Sequence, residues 1–298
     1  MNKQYEQSPF ETVRLKGLTV SLLGKKDGTE ILKHHLTQGQ CWGIGPEDGW
    51  DALEFVYVTK GKMTCKKDEG DIILQTGDYL SYPPVKELLF FIAEEDTEFI
   101  YVTSQPVFYR YSKTITKFMK LAVEVEKKDG YTADHCERIK TLAMEVGVKM
   151  GLSSPEMYTL NWAAFFHDIG KLKVPLEVLN KPAKLTDDEW NIIKLHTIYG
   201  REILEETGNP YLMEAGRIVE QHHERWDGKG YPHGLSGNDI DIKAAIISVI
   251  DSYDAMTTDR VYRDRLPKEV AIEEIKRNSG IMYNPKVVEI FLEVEENK

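Results

Sequence analysis

Five of the eight histidines in this chain lie in contexts that could do chemistry: His135 in TADHCERIK, His167 in FFHDIGK, His196 in IKLHTIYG, and the pair His222 and His223 in QHHERWDG. Asp168 follows His167 directly, and Asp251 sits in AIISVIDSYDAM. Each is embedded in, or just after, an apolar helical run. Taking an imidazole or a carboxylate out of water without partners is costly, so these groups must be hydrogen-bonded or hold a metal. One lone histidine on an apolar face reads as a satisfied core residue. Five of them with two aspartates, all in one half of the chain, read as a metal centre. Imidazole and carboxylate without thiolate suit Fe, Mn, Zn or Co and disfavour a structural cysteine-type zinc site. Neighbouring residues point about 100° apart on a helix. His167 with Asp168, and His222 with His223, can therefore each serve two ions, and a two-metal centre follows.

The elements that must position these groups change character near Pro106. Before it, short runs such as EFVYV, DIILQ, ELLFFIA and EFIYVT alternate with Gly, Asp and Pro punctuation, which predicts an all-β domain. After it, Ile115, Phe118, Met119, Ala122 and Val125 recur at helical spacing, too few heptads for a dimerising coiled coil. Helix starts follow at Ser154–Pro155, at Thr186 with Glu189, and at Asn284–Pro285. The predicted fold class is two-domain α+β: a β-domain over 1–112, a linking helix over 113–128 and an all-α domain over 129–298. No internal repeat or low-complexity segment interrupts them.

A net charge of −11 gives no general electrostatic reason to bind nucleic acid polymer or anionic membrane. The start MNKQYEQSPF lacks an apolar h-region, and the run AAIISVI is too short to cross a bilayer, so the chain reads as cytoplasmic without membrane insertion. Cys41, Cys65 and Cys136 are odd in number and lack CxxC spacing, which suggests buried thiols.

HDIGK, a distant histidine, HHERWDGKGYP and DSYDAMTTDRVYR, in that order from about Tyr131 to Phe291 and with VLNKPAKLTDDEW between them, resemble the HD-GYP family. That family is a branch of the HD phosphohydrolases that opens cyclic di-GMP. The resemblance implies a helical bundle around two divalent ions, with Fe or Mn leading. His135, His167, Asp168 and Asp251 would hold one ion; Asp168, His196, His222 and His223 would hold the other. Such a pair lowers the pKa of a shared water and stabilises both the attacking and the leaving oxygen of an in-line displacement. Asp168 and Lys171 are the expected catalytic residues, with the Lys171 ammonium on a substrate phosphate. Arg260 and Arg263 would grip phosphate or a guanine edge. In Gly230-Tyr231-Pro232 the glycine would allow close backbone approach and the tyrosine ring would stack a guanine. The chain departs from the family at Tyr131, where some members carry a third-metal glutamate, and at Ala245 and Val261, where Arg and Pro are frequent. Two ions rather than three are therefore expected, while the preferred dinucleotide and the final product, pGpG or GMP, stay open.

LEFVYVTKG and TGDYLSYPP resemble the two motifs of the cupin jelly roll, Glu54 to Gly61 and Gly77 to Pro83. The cupin metal histidines are missing, and His34 and His35 are expected to be exposed. By fold analogy the β-domain would bind a small ligand or form a homodimer, and would regulate the helical domain. The expected function is hydrolysis of cyclic di-GMP. The alternatives are another cyclic dinucleotide such as 3′,3′-cGAMP, a different nucleotide, or a non-catalytic cyclic dinucleotide receptor.

Overall fold

The computed structural model describes residues 9–46, 49–67, 70–108, 119–122, 124–125, 135–259 and 265–296. Ile115, Phe118, Tyr131, Arg260, Val261 and Arg263 lie outside the described residues. Residues 119–122 and 124–125 are helical, with Ala122 and Val125 buried. The chain divides into two compact units, 1–117 with 153–155, and 118–152 with 156–298.

The first unit is built of strands β1 (Glu11–Leu15), β2 (Leu18–Lys26), β3 (Thr29–Leu36), β4 (Cys41–Ile44), β5 (Glu54–Lys60), β6 (Lys62–Lys66), β7 (Ile72–Gln75), β8 (Tyr79–Tyr82), β9 (Leu89–Ala93) and β10 (Thr97–Thr103). They form a six-stranded sheet, β1-β2-β3-β10-β5-β8, and a four-stranded sheet, β4-β9-β6-β7, with antiparallel pairing throughout. This is the jelly-roll arrangement expected of the cupin resemblance. Successive strand side chains point to opposite faces. On β10 that sends Thr97, Phe99, Tyr101 and Thr103 inward, and on β5 Glu54, Val56 and Val58. These meet Val20, Leu22, Leu32, Trp42, Met63, Leu89 and Phe91 in one core. Tyr101 donates its buried hydroxyl to Glu54 Oε1 at 2.6 Å.

His34 corrects the expectation of exposure: it is fully buried. On β3 the inward positions are Glu30, Leu32, His34 and Leu36, so the same alternation that buries the leucines buries the imidazole. Its ring lies parallel to Phe99 with centroids 4.7 Å apart and 5.1 Å from Trp42. Burial pulls its pKa from 6.5 down to about 3. Between those values the unfolded chain binds the proton and the folded chain does not, so stability rises with pH through the window and is lost as pH falls. Going from pH 7 to 5 should remove about 2 kcal/mol through this residue. His34→Phe should show a correspondingly shallower loss of stability over that range in urea titrations of the whole chain. An unchanged difference between the two pH values would contradict this account.

The second unit contains α1 (His135–Lys149), α2 (Ser154–Phe166), a 3-10 turn (Ile169–Lys173), α3 (Leu176–Leu179), α4 (Asp187–Lys194), α5 (His196–Glu205), α6 (Pro210–Gln221), α7 (Ile242–Thr257), α8 (Lys268–Arg277) and α9 (Pro285–Glu296). Thr186 and Glu189 form a reciprocal capping box on α4, each side chain accepting the other's backbone N–H, a device worth about 1 kcal/mol. Asn284 Oδ1 accepts from the Lys286 and Val287 amides at the start of α9. Ser154 is the first residue inside α2 rather than its flank, with Pro155 in the first turn, where an amide N–H has no helical partner to lose. Ala163, Ala164, Phe165 and Phe166 of α2 and Ala244, Ala245, Ile246, Ile247, Val249 and Ile250 of α7 are all buried. α2 leads directly into His167–Asp168, and α7 carries Asp251 within its length, so both sets of groups sit against apolar packing.

Candidate metal centre

Three of the candidate histidines stand just past the end of a helix and complete it. The last carbonyls of an α-helix lack intrahelical partners. His167, His196 and His222 each meet such a carbonyl through Nδ1: Ala164 of α2 at 3.0 Å, Ile193 of α4 at 2.7 Å and Val219 of α6 at 2.6 Å. Donation from Nδ1–H fixes the tautomer and leaves the Nε2 lone pair facing away from the helix that the ring caps. His167–Asp168 and His222–His223 thus lie in turns beyond helix ends rather than within helices. His167 and Asp168 belong to different groups of ligands, but the His222 and His223 ring centroids lie 4.0 Å apart in the same group, which corrects the expectation that this second pair serves two ions.

The rings and carboxylates gather in two adjoining groups. Asp168, His196, His222 and His223 form one, and His135, His167 and Asp251 the other, with the ligand atoms of each group all within 4.8 Å of one another. Asp168 faces both: Oδ1 lies 3.4 Å from His196 Nε2, and Oδ2 3.4 Å from His167 Nε2. Asp251 Oδ1 is 3.6 Å from His135 Nε2 and 3.8 Å from His167 Nε2. The Nε2 atoms of His167, His196 and His222, with Asp168 Oδ1 and Asp251 Oδ1, are buried without a hydrogen-bond partner. Five orphaned atoms converging on one place are the donor set a pair of cations needs, so the residues fit a metal centre.

The electrostatics agree. Burial outweighs every other influence on His196 and His222, lowering them to about 3 and about 4, and it holds His223 well below its ordinary value. Those three rings are neutral, the form that ligates. Burial also works against charge on His167, but the Asp168 and Asp251 carboxylates beside it prevail and raise it to about 9. Burial pushes Asp168 up, yet Lys171, His167 and His196 hold it well below the usual carboxylate range. A cation is favoured between these carboxylates.

Lys171 donates to Asp168 Oδ2 at 2.7 Å, so the ammonium expected on substrate sits at the edge of the cluster. The Tyr231 ring centroid is 4.9 Å from that of His223 and 6.4 Å from that of His196. Its backbone N–H donates to His223 O, tying the Gly230-Tyr231-Pro232 turn to the histidine pair. Gly230 is obligatory there, because a Cβ would fall 2.5 Å from Glu224 Cα and 2.6 Å from His223 O. Arg260 and Arg263 lie outside the described residues.

Sequence reasoning did not single out four residues that shape this site. Asp254 accepts from His135 Nδ1 at 2.7 Å and from Arg138 Nε and Nη2 at 2.5 and 2.7 Å. Its signal was the second aspartate of DSYD, one helical turn after Asp251 and so on the same face of α7. Glu224, inside the quoted HHERWDG, is buried and accepts backbone N–H groups from His233, Gly234 and Leu235 at 2.7, 3.1 and 3.0 Å. Lys194, two residues before His196, carries its ammonium 6.0 Å from the Tyr231 ring centroid. Gln at Glu224 replaces one acceptor oxygen by a donor against those amides. Glu224→Gln should cost about 2 kcal/mol, or roughly 4–8 °C in melting temperature, with metal content unchanged. Metal loss at unaltered stability would instead place Glu224 among the ligands.

Comparison with known proteins adds independent findings. The family model described as HD domain matches residues 119–287. The cyclic di-GMP phosphodiesterase of Thermotoga maritima is 39% identical over 270 residues, which is 90% of this chain and 69% of that protein. The 3′3′-cGAMP-specific phosphodiesterase 1 of Vibrio cholerae is 37% identical over 276 residues, 87% of this chain and 61% of that protein. Among solved structures, the cupin domain of an XRE family transcriptional regulator from Enterobacter cloacae aligns at 17% identity and a TM-score of 0.27, over 30% of this chain and 99% of that one.

Proposed function

Because this chain belongs to the HD domain family, we propose that it is a metal-dependent phosphodiesterase that hydrolyses cyclic di-GMP, with pGpG or GMP as the product. The observation that supports this most is the convergence of orphaned Nε2 and carboxylate oxygens around Asp168. When bound, two divalent ions, iron or manganese in this reading, supply Lewis-acid stabilisation for in-line displacement at a phosphodiester. His135, His167 and Asp251 would hold one ion, His196, His222 and His223 the other, and Asp168 would serve both. Lys171 keeps a compact positive charge beside Asp168, placed to attract the scissile phosphate. Tyr231 presents a ring for guanine stacking, and Arg260 and Arg263 complete the substrate contacts in this assignment. Tyr131, where a third-metal carboxylate would stand, keeps the centre at two ions.

The wider reading divides the chain into a β-domain over 1–112, a linking helix over 113–128 and a catalytic domain over 129–298. It makes the β-domain a cytoplasmic regulator that binds a small ligand or forms a homodimer. No helix among the described residues is long and apolar enough to cross a membrane. Deleting 1–112 without effect on activity, metal content and oligomeric state would remove the regulatory role.

A second reading, a preference for 3′,3′-cGAMP, is favoured by the Vibrio cholerae relative, whose similarity extends over 87% of this chain. Chromatography of cyclic di-GMP and 3′,3′-cGAMP after incubation with metal-replete protein separates the two. Faster loss of cyclic di-GMP, with pGpG or GMP appearing, supports the first reading. Faster loss of 3′,3′-cGAMP supports the second, and binding with neither dinucleotide consumed supports a receptor.

A further inference from the structure

We propose that Asp254, locked in place by Arg138, is a positioning residue that makes the His135, His167 and Asp251 half of the centre the tighter, first-filled metal site. This rests on the metal-centre reading above and goes beyond it by making the two halves unequal.

The inequality begins behind the rings. His167, His196 and His222 present Nδ1 to neutral backbone carbonyls, whereas His135 presents Nδ1 to the Asp254 carboxylate at 2.7 Å. A carboxylate behind a ligating imidazole fixes its tautomer and raises its basicity, and loss of such a partner commonly weakens metal binding 10–100-fold. Arg138 fixes Asp254 in turn: Nε donates to Oδ1 at 2.5 Å and Nη2 to Oδ2 at 2.7 Å, a planar two-point grip. The Arg138 side chain is 37% exposed and Asp254 only 9%, so water screens the cation more than the carboxylate.

Charge reinforces the difference. The His135 half has its own carboxylate, Asp251, with Asp254 behind it. The other half offers His196, His222 and His223 with only the shared Asp168, which faces it through Oδ1. A cation is drawn more strongly to the first half.

Titrating metal-stripped protein with Mn²⁺, and reading unbound Mn²⁺ by electron paramagnetic resonance, tests this without any activity measurement. The wild-type protein should bind in a tight and a weaker class. Asp254→Asn should weaken the tight class 10–100-fold and leave the weaker one within about threefold, while His196→Ala should remove the weaker class alone. Arg138→Gln, at a side chain that reaches solvent, should weaken the same tight class by a smaller factor, and it carries the test should Asp254→Asn fail to fold. Unchanged classes in both variants, equal weakening of both classes, or loss of the tight class in His196→Ala would overturn the inference. Failure of the wild-type protein to bind Mn²⁺ at all would instead overturn the metal-centre reading on which it rests.

Discussion

Asp168→Ala should bring bound metal from about two ions per chain to below one, and slow cyclic dinucleotide hydrolysis by at least about a thousandfold, or about 4 kcal/mol of barrier. The size follows from position. Asp168 directs one oxygen toward each group of ligands, so its loss weakens both halves, whereas loss of any one histidine removes a donor from one half. Elemental analysis and turnover should fall together while the far-ultraviolet helical signal is retained, because the surrounding rings are anchored by their own helix-end carbonyls. Two retained ions with turnover within tenfold of wild type would remove Asp168 from the centre.

Gly170→Ala should be nearly as severe through packing alone. A Cβ on Gly170 would fall on the His196 carbonyl oxygen and the Gly200 nitrogen, with His196 C only 2.8 Å away. All are backbone atoms at the start of α5, so no side-chain rotation relieves the overlap, and the turn carrying Asp168 must separate from the helix carrying His196. Overpacking of this kind costs about 1–3 kcal/mol, and more where backbone must move. The expected result is a melting temperature lower by roughly 5–10 °C and at least tenfold weaker metal binding, since a ligand displaced by about 1 Å leaves its coordination range. Normal metal affinity with normal melting would show that the turn has room to spare. The glycine of HDIGK is thus a packing requirement of the site as much as a feature of a motif.

What was legible in the sequence was mainly local. The Thr186–Glu189 box and the Asn284–Pro285 start could be read because a cap involves only a few consecutive residues. The strands EFVYV and EFIYVT showed as short runs rich in Val, Ile, Tyr and Phe between turn residues. The candidate ligands stood out by chemistry: imidazoles and carboxylates in apolar surroundings require partners. Their division between two ions came from the resemblance to a known family rather than from spacing.

What escaped depends on contacts between distant residues. Asp254 meets His135 and Arg138 across more than a hundred residues, and nothing in DSYD alone says that the second aspartate faces a ligand ring. The role of Glu224 appears only when the chain turns back to place three backbone amides on its carboxylate. The polarity of His34 points to the surface, but its place between Leu32 and Leu36 sets it on the inward face of the strand. Gly170 needed the approach of α5 to declare its purpose.

The most direct measurement combines metal and chemistry in one sample. The chain would be purified anaerobically, its bound metals counted by elemental analysis, and its action on cyclic di-GMP followed by chromatography, with His167→Ala plus Asp168→Ala as the control. The account predicts about two ions per chain, iron or manganese, and pGpG or GMP appearing only with the unaltered protein. Protein that binds no metal after reconstitution, or that forms product equally well in the control, would contradict it.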